Sequence, residues 1–358
     1  MAEKLKVILF EDRADFRKRV IEALQVEFGD AGTVIPFEST DNGEEGTFEK
    51  RLEARLQSEP YSSAELIVAD KDLSLSEGFR GLSVNSVSAA ARRLAIPVCA
   101  YARAFTENED DFTWRGRWEE GLIVLSIGDP LDNFAKKTRV VAQGFEYIGN
   151  QLPDLLKAGD NSPAGLLSTL LGKPEYENKM ALYAVGDQNR LTSLPPRGQQ
   201  ADNLNQKMTH FLGYWLFNSL LKFPGVFTNE IASASYLNID VNDFQREDVK
   251  ALFVDALYSG PFSDPQEPVW WRGALDDVVS AAGFGDGLEL VNDQLKDKVQ
   301  RSKCYVDETK TAGYYCIIAR KPVSLENSKG NLSWFPRGAD LTRVSKTKFE
   351  EYEPWLGS

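Results

Sequence analysis

The chain has one histidine and three cysteines in 358 residues. A single imidazole, His210, excludes the multi-histidine zinc sites and leaves a histidine-based nucleophilic triad with one candidate base. His210 stands before Phe211-Leu212 in an apolar segment, which suits a core or surface histidine better than a ligand. Cys99, Cys304 and Cys316 are odd in number and match neither a disulfide framework nor a zinc knuckle, so they read as reduced, buried small residues. No apolar run approaches membrane-spanning length and no basic head precedes an apolar core at the N-terminus, so the expected setting is cytoplasmic, without a membrane partner. No glycine-rich loop follows a strand, which removes the usual phosphate cradle. Positive charge is also short. Against 54 Asp and Glu there are 41 Lys and Arg, for a formal net charge of -13, and such a chain carries no general footprint for a nucleic-acid backbone.

What is present is enough for about two domains. Roughly 27 acidic and 19 basic residues fall in the first 150, so much of the excess negative charge lies there, which fits a pocket for cations better than one for anions. The same stretch alternates short apolar runs with amphipathic ones, the rhythm of βα units in a parallel sheet. Strands are expected at Leu5 to Phe10, Thr33 to Phe37, Glu65 to Ala69, Ile96 to Tyr101 and Leu122 to Ile127. Helices are expected at Asp15 to Phe28, Glu44 to Leu56, Ser83 to Leu94 and Asp132 to Ile148. A doubly wound sheet of this kind places its ligand sites at the carboxyl ends of the strands.

Between Asn150 and Pro163 the text turns to Gly, Pro, Asn and Asp, which marks a boundary, so the expected domains are 1–150 and 151–358. The second reads as mainly helical, with apolar residues at helical spacing in Leu166 to Leu171, Asn205 to Lys222, Glu230 to Leu237, Arg246 to Tyr258 and Gly273 to Ala282. Asp187 to Asn203 reads as a loop, and Lys303 to Val306 with Gly313 to Ala319 as a β-hairpin. Trp270-Trp271, Trp334-Phe335 and Tyr352 with Trp355 suit either partner anchors or the closing of a core built on short helices.

The chemistry sits in the first domain. Val7-Ile8-Leu9-Phe10 ends in Glu11 and Asp12, and Leu66-Ile67-Val68-Ala69 ends in Asp70, with Gly78 eight positions on. Neighbouring parallel strands end together, so three carboxylates converge on one sheet edge. That is a hard-oxygen set suited to Mg²⁺.

These residues resemble the receiver domain of two-component response regulators. Lys6 to Val20 (KVILFEDRADFRKRV) is similar to its first strand, acidic pair and first helix. Leu66 to Phe79 (LIVADKDLSLSEGF) is similar to its phosphoacceptor strand and following loop, and Ile96 to Tyr101 (IPVCAY) to its fourth strand. The resemblance covers roughly residues 4 to 148. It implies a flavodoxin-like, doubly wound α/β fold with a five-stranded parallel sheet, Asp70 as phosphoacceptor, and Mg²⁺ on Glu11, Asp12 and Asp70. It also implies a role in signal transduction through a protein partner, with pairing of two copies through the fourth and fifth elements.

The departures are specific. Ser74 stands where the family has proline. Ala102 stands where the fourth strand ends in Thr or Ser, Asp129 where a lysine precedes proline, and Ser126 where the switch aromatic falls. The acids that hold metal and phosphoryl group persist, whereas the residues that read phosphorylation do not, and Asp129 adds negative charge. Lys71, directly after Asp70, is a candidate substitute cation. The expected role is therefore an atypical, pseudo-receiver signalling protein working through protein contacts rather than through a stable phosphoaspartate.

Two other classes stay open. Glu11 with Asp70-Lys71-Asp72 resembles the Glu and Asp-x-Asp of a Toprim-like, Mg²⁺-dependent nuclease, although Asp12 stands where that pattern has glycine. Residues 227–250 (Phe227 to Phe244 and beyond) read as a helix-turn-helix of a DNA-binding regulator, but Asp240, Asp243, Glu247 and Asp248 would face the phosphates and oppose binding.

Overall fold

The computed structural model describes residues 5–38, 47–73, 82–103, 122–128, 130–158, 162–184, 201–296 and 298–356. It divides into two compact units, one within Met1–Lys157 and Pro195–Tyr214, the other within Ala158–Leu194 and Trp215–Ser358. Among the described residues no helix is long and apolar enough to cross a membrane.

The first unit is a parallel sheet with flanking helices. Its strands are β1 (Leu5–Phe10), β2 (Gly32–Pro36), β3 (Leu66–Asp70), β4 (Val98–Arg103) and β5 (Ile123–Ile127), in the order β2-β1-β3-β4-β5. Each forms where the apolar run is bounded by turn residues, and β1 and β3 are buried on both faces, as central parallel strands require. Helix α1 (Ala14–Phe28) buries Val20, Leu24 and Phe28, and stops at Gly29, whose φ of 56° is the left-handed region that glycine enters at little cost. Helix α2 (Phe48–Leu56) buries Leu52 and Leu56, while the earlier part of its expected span, 44–46, lies outside the described residues. Helix α3 (Val84–Leu94) is capped by Ser83, whose hydroxyl accepts from the Ser86 N–H at 3.2 Å.

Helix α4 (Asp132–Ala158) runs past the expected end at Ile148, so residue 150, read as a boundary, lies inside a helix. The reason is packing. Val141, Phe145, Ile148 and Leu152 are all buried and continue one helical stripe across Gly149 and up to Pro153. The helix Ala201–Trp215, expected wholly in the second domain, has its residues through Tyr214 in this unit. Tyr214 packs edge-on against Phe145 at 5.3 Å, and its hydroxyl accepts from the Val98 N–H at 2.6 Å and donates to the Val98 carbonyl at 3.2 Å. Most of the expected loop at 187–203 lies outside the described residues, and 201–203 are helical.

The second unit is a set of short helices with small sheets. A π-helical stretch, Leu216–Leu220, directly follows the Ala201–Trp215 helix, with the Leu221 N–H reaching back to the Leu216 carbonyl at 2.9 Å. Strands β6 (Phe227–Asn229) and β7 (Val269–Trp271) pair antiparallel. Strands β8 (Tyr314–Cys316), β9 (Lys321–Val323), β10 (Ser328–Lys329) and β11 (Thr342–Ser345) form a sheet in the order β10-β11-β8-β9. The hairpin is β8 with β9. The expected arm 303–306 is not a strand, because Cys304 folds back to donate to the Lys310 carbonyl and Tyr305 donates to Pro322.

The helix-turn-helix expectation resolves into three short helices, Glu230–Tyr236, Val241–Phe244 and Glu247–Leu252. Phe244 and Val249 are spent on the core with Trp270 and Leu275, and the would-be reading helix is only four residues long. Trp270, Trp271, Phe335 and Tyr352 are likewise buried, so these aromatics close the core, whereas Trp334 is half-buried and the Trp355 side chain lies outside what the structure describes. All three cysteines are buried and unpaired in disulfides.

Candidate cation site

Strand register builds the site. Phe10 pairs with Ala69 across β1 and β3, so one step on sets Glu11 beside Asp70, and Asp70 pairs with Tyr101, which pairs with Leu125. Side chains alternate faces along a strand. Phe10, Ala69 and Ala100 belong to the core that includes the α2 and α3 residues, which puts the next row, Glu11, Asp70 and Tyr101, on the opposite face. There the Tyr101 ring meets Phe16 of α1 at 6.4 Å and Phe134 of α4 at 5.2 Å.

Each carboxylate of the acidic group has its own surroundings. Glu11 is fully buried, its Oε1 accepting from the Arg13 N–H at 2.9 Å and its Oε2 from the Tyr101 hydroxyl at 2.6 Å. Asp70 is 4% exposed. Its Oδ1 accepts from the Asp72 N–H at 3.0 Å, and its Oδ2 is buried without a hydrogen-bond partner. Asp12 is half-buried. One oxygen from each of Glu11, Asp12 and Asp70 lies within 4.8 Å of the others.

The electrostatics follow from that crowding. Burial, assisted by the charges of Glu11 and Asp12, pushes the Asp70 carboxyl up to about 7, against the Asp72 N–H and the Arg13 charge, which favour the anion. Burial and the same carboxylates hold the Tyr101 phenol far above the usual range, so it remains an O–H donor. Three carboxylates at this spacing, with the Asp70 Oδ2 buried without a donor, suit a small divalent cation such as Mg²⁺, which takes few protein ligands and keeps waters.

The other expected residues fall differently. Asp72 is exposed and outside the group of three, and its part in the site is the N–H it gives to Asp70. Lys71 is half-buried, with its N–H donated to the Tyr101 carbonyl. Ala102 lies on β4 in register with Ser126 of β5, whose side chain is exposed. Asp129, Ser74 and Gly78 lie outside the described residues. Two contributors escaped sequence reasoning. Arg13 is the nearby positive charge, and Tyr101 is the donor to Glu11. The available signal for Tyr101 was a polar-tipped aromatic late in the otherwise apolar strand text IPVCAY.

The strand order and flanking helices are compatible with a receiver-like fold. Comparison with protein-family models, with curated proteins and with solved structures finds no match to this chain.

Proposed function

We propose that this chain is an atypical response-regulator-like signalling protein. In this reading its first unit holds a divalent cation on Glu11, Asp12 and Asp70 and works through contacts with a protein partner rather than through a lasting phosphoryl group. The observation that carries the reading is the Asp70 Oδ2, buried and without a hydrogen-bond partner beside two further carboxylates. A buried acceptor left bare costs about 1–3 kcal/mol. An arrangement that keeps one in an acidic group is explained by a cation that completes it.

When bound, the cation supplies charge neutralisation for the three acids. The chain's own residues do the rest. The Asp72 N–H orients one Asp70 oxygen, and Arg13 and Tyr101 orient Glu11. Phosphotransfer is disfavoured by the departures from the receiver pattern. Ala102 brings no hydroxyl, and Asp129 replaces the lysine that would pair with phosphoryl oxygens. The nuclease alternative loses support because Asp72 is exposed and stands outside the group of three acids.

Mass measurement after incubation with acetyl phosphate and Mg²⁺, on wild type and Asp70→Asn, tests the reading. No phosphate-sized gain is expected in either. A gain in the wild type that disappears with Asp70→Asn would make the protein a working phosphoacceptor.

A further inference from the structure

We propose that Tyr101 is a positioning residue of the cation site, its hydroxyl fixing the Glu11 carboxylate in the orientation that faces the cation. This rests on the cation reading above. Glu11 is reached by two donors from different parts of the fold, the Arg13 N–H from its own turn and the Tyr101 hydroxyl from β4, which lies beyond β3 in the sheet. A carboxylate held by one donor still swings about its side-chain torsions. Two donors, one on each oxygen, define its plane, and each oxygen keeps a second lone pair free for a metal.

The hydroxyl is itself well placed to hold still. The Tyr101 ring is fully buried, packed edge-on against Phe134 at 5.2 Å and tilted against Phe16 at 6.4 Å. Its backbone is tied on both sides, to Asp70 through the β3 register and to Leu125 through β5. The row that places Asp70 in the site therefore also places the group that aims Glu11. Partners of this kind, hydrogen-bonded to a ligand rather than to the metal, set metal affinity by about 10–100-fold.

Isothermal calorimetry with Mg²⁺ on wild type, Tyr101→Phe, Glu11→Gln and the double variant tests the assignment, alongside melting temperatures in chelator. Tyr101→Phe keeps the ring, and about tenfold weaker Mg²⁺ binding is expected, with the double variant binding no more weakly than Glu11→Gln alone. Wild-type affinity in Tyr101→Phe, whatever its melting temperature, would reduce the hydroxyl to a packing role. Additive losses in the double variant would show that it does not act through Glu11. Wild type that binds no Mg²⁺ would overturn the cation site itself, a result distinct from both.

A second measurement has its first arm in wild type, where the folding of a variant plays no part. In wild type carrying ¹³Cζ-tyrosine, one buried tyrosine resonance is expected to move on Mg²⁺ addition, and the same resonance to be displaced by Glu11→Gln. A spectrum in which no tyrosine responds to Mg²⁺ would overturn the assignment.

Discussion

Asp70 and His210 are buried titratable groups whose shifts have the same main cause and opposite consequences. Burial raises the Asp70 carboxyl, so the native protein disfavours its ionised form. Above about 7 the folded, cation-free state carries that charge at full cost. Asp70→Asn should therefore melt higher than wild type in chelator at pH 8. Added Mg²⁺ should raise the wild-type melting temperature and leave that of Asp70→Asn unchanged. Burial lowers the His210 imidazole from 6.5 to about 4, against its hydrogen bond at Ile96. The unfolded chain then binds the proton at a higher pH than the native one. Stability falls as pH drops from about 6.5 towards 4, by at most about 3 kcal/mol. Urea denaturation at pH 7 and pH 4.5 should show that slope flattened in His210→Gln. A lone histidine before Phe211-Leu212 read as a core or surface residue, and the structure buries it. The value of Asp70 was readable too, because an acid that ends an apolar strand has few structural excuses. Tyr101 was not readable as a site residue, since its place beside Asp70 comes from pairing between strands that sequence periodicity does not reveal.

At the scale of elements, β4 is held by side chains as well as by its neighbours. Tyr101 ties it to Glu11, and Tyr214 grips the Val98 N–H and carbonyl together. Tyr214→Phe leaves the buried Val98 N–H without that acceptor and should cost about 1–3 kcal/mol in urea denaturation, with amide exchange at Val98 rising. Gly213 allows the same helix to close on α4. A Cβ there would stand 2.2 Å from the Phe145 ring, so Gly213→Ala should destabilise by about 1–3 kcal/mol or more through overpacking. Five strands and the helices α1 and α3 followed the text closely, because period-2 and period-3.6 patterns were long enough to be unambiguous. The errors come from contacts distant in sequence or folded back on it. Tertiary burial carried α4 through Gly149 to Ala158 and drew the Ala201–Trp215 helix onto the sheet unit. Backbone hydrogen bonds from Cys304 to Lys310 and from Tyr305 to Pro322 turned Lys303 to Val306 from a strand into a folded-back loop.

At the scale of the whole molecule, the chain order of strands and helices was enough for the doubly wound sheet, and apolar spacing for a second, mainly helical part with a small hairpin. The internal arrangement of that second part was not readable, since its helices are short and its core aromatics fit several packings. A net charge of -13, with Glu247 and Asp248 in the first turn of the helix that follows the four-residue one, repels phosphates. Fluorescence anisotropy with duplex DNA at physiological salt should show no salt-sensitive binding by the full chain. The central claim is that Glu11, Asp12 and Asp70 form a cation site, and calorimetric titration of Mg²⁺ into wild type and Asp70→Asn tests it most directly. One-site binding in the wild type that is lost in Asp70→Asn is the predicted result. Absence of binding in the wild type, or equal binding by both proteins, would contradict it.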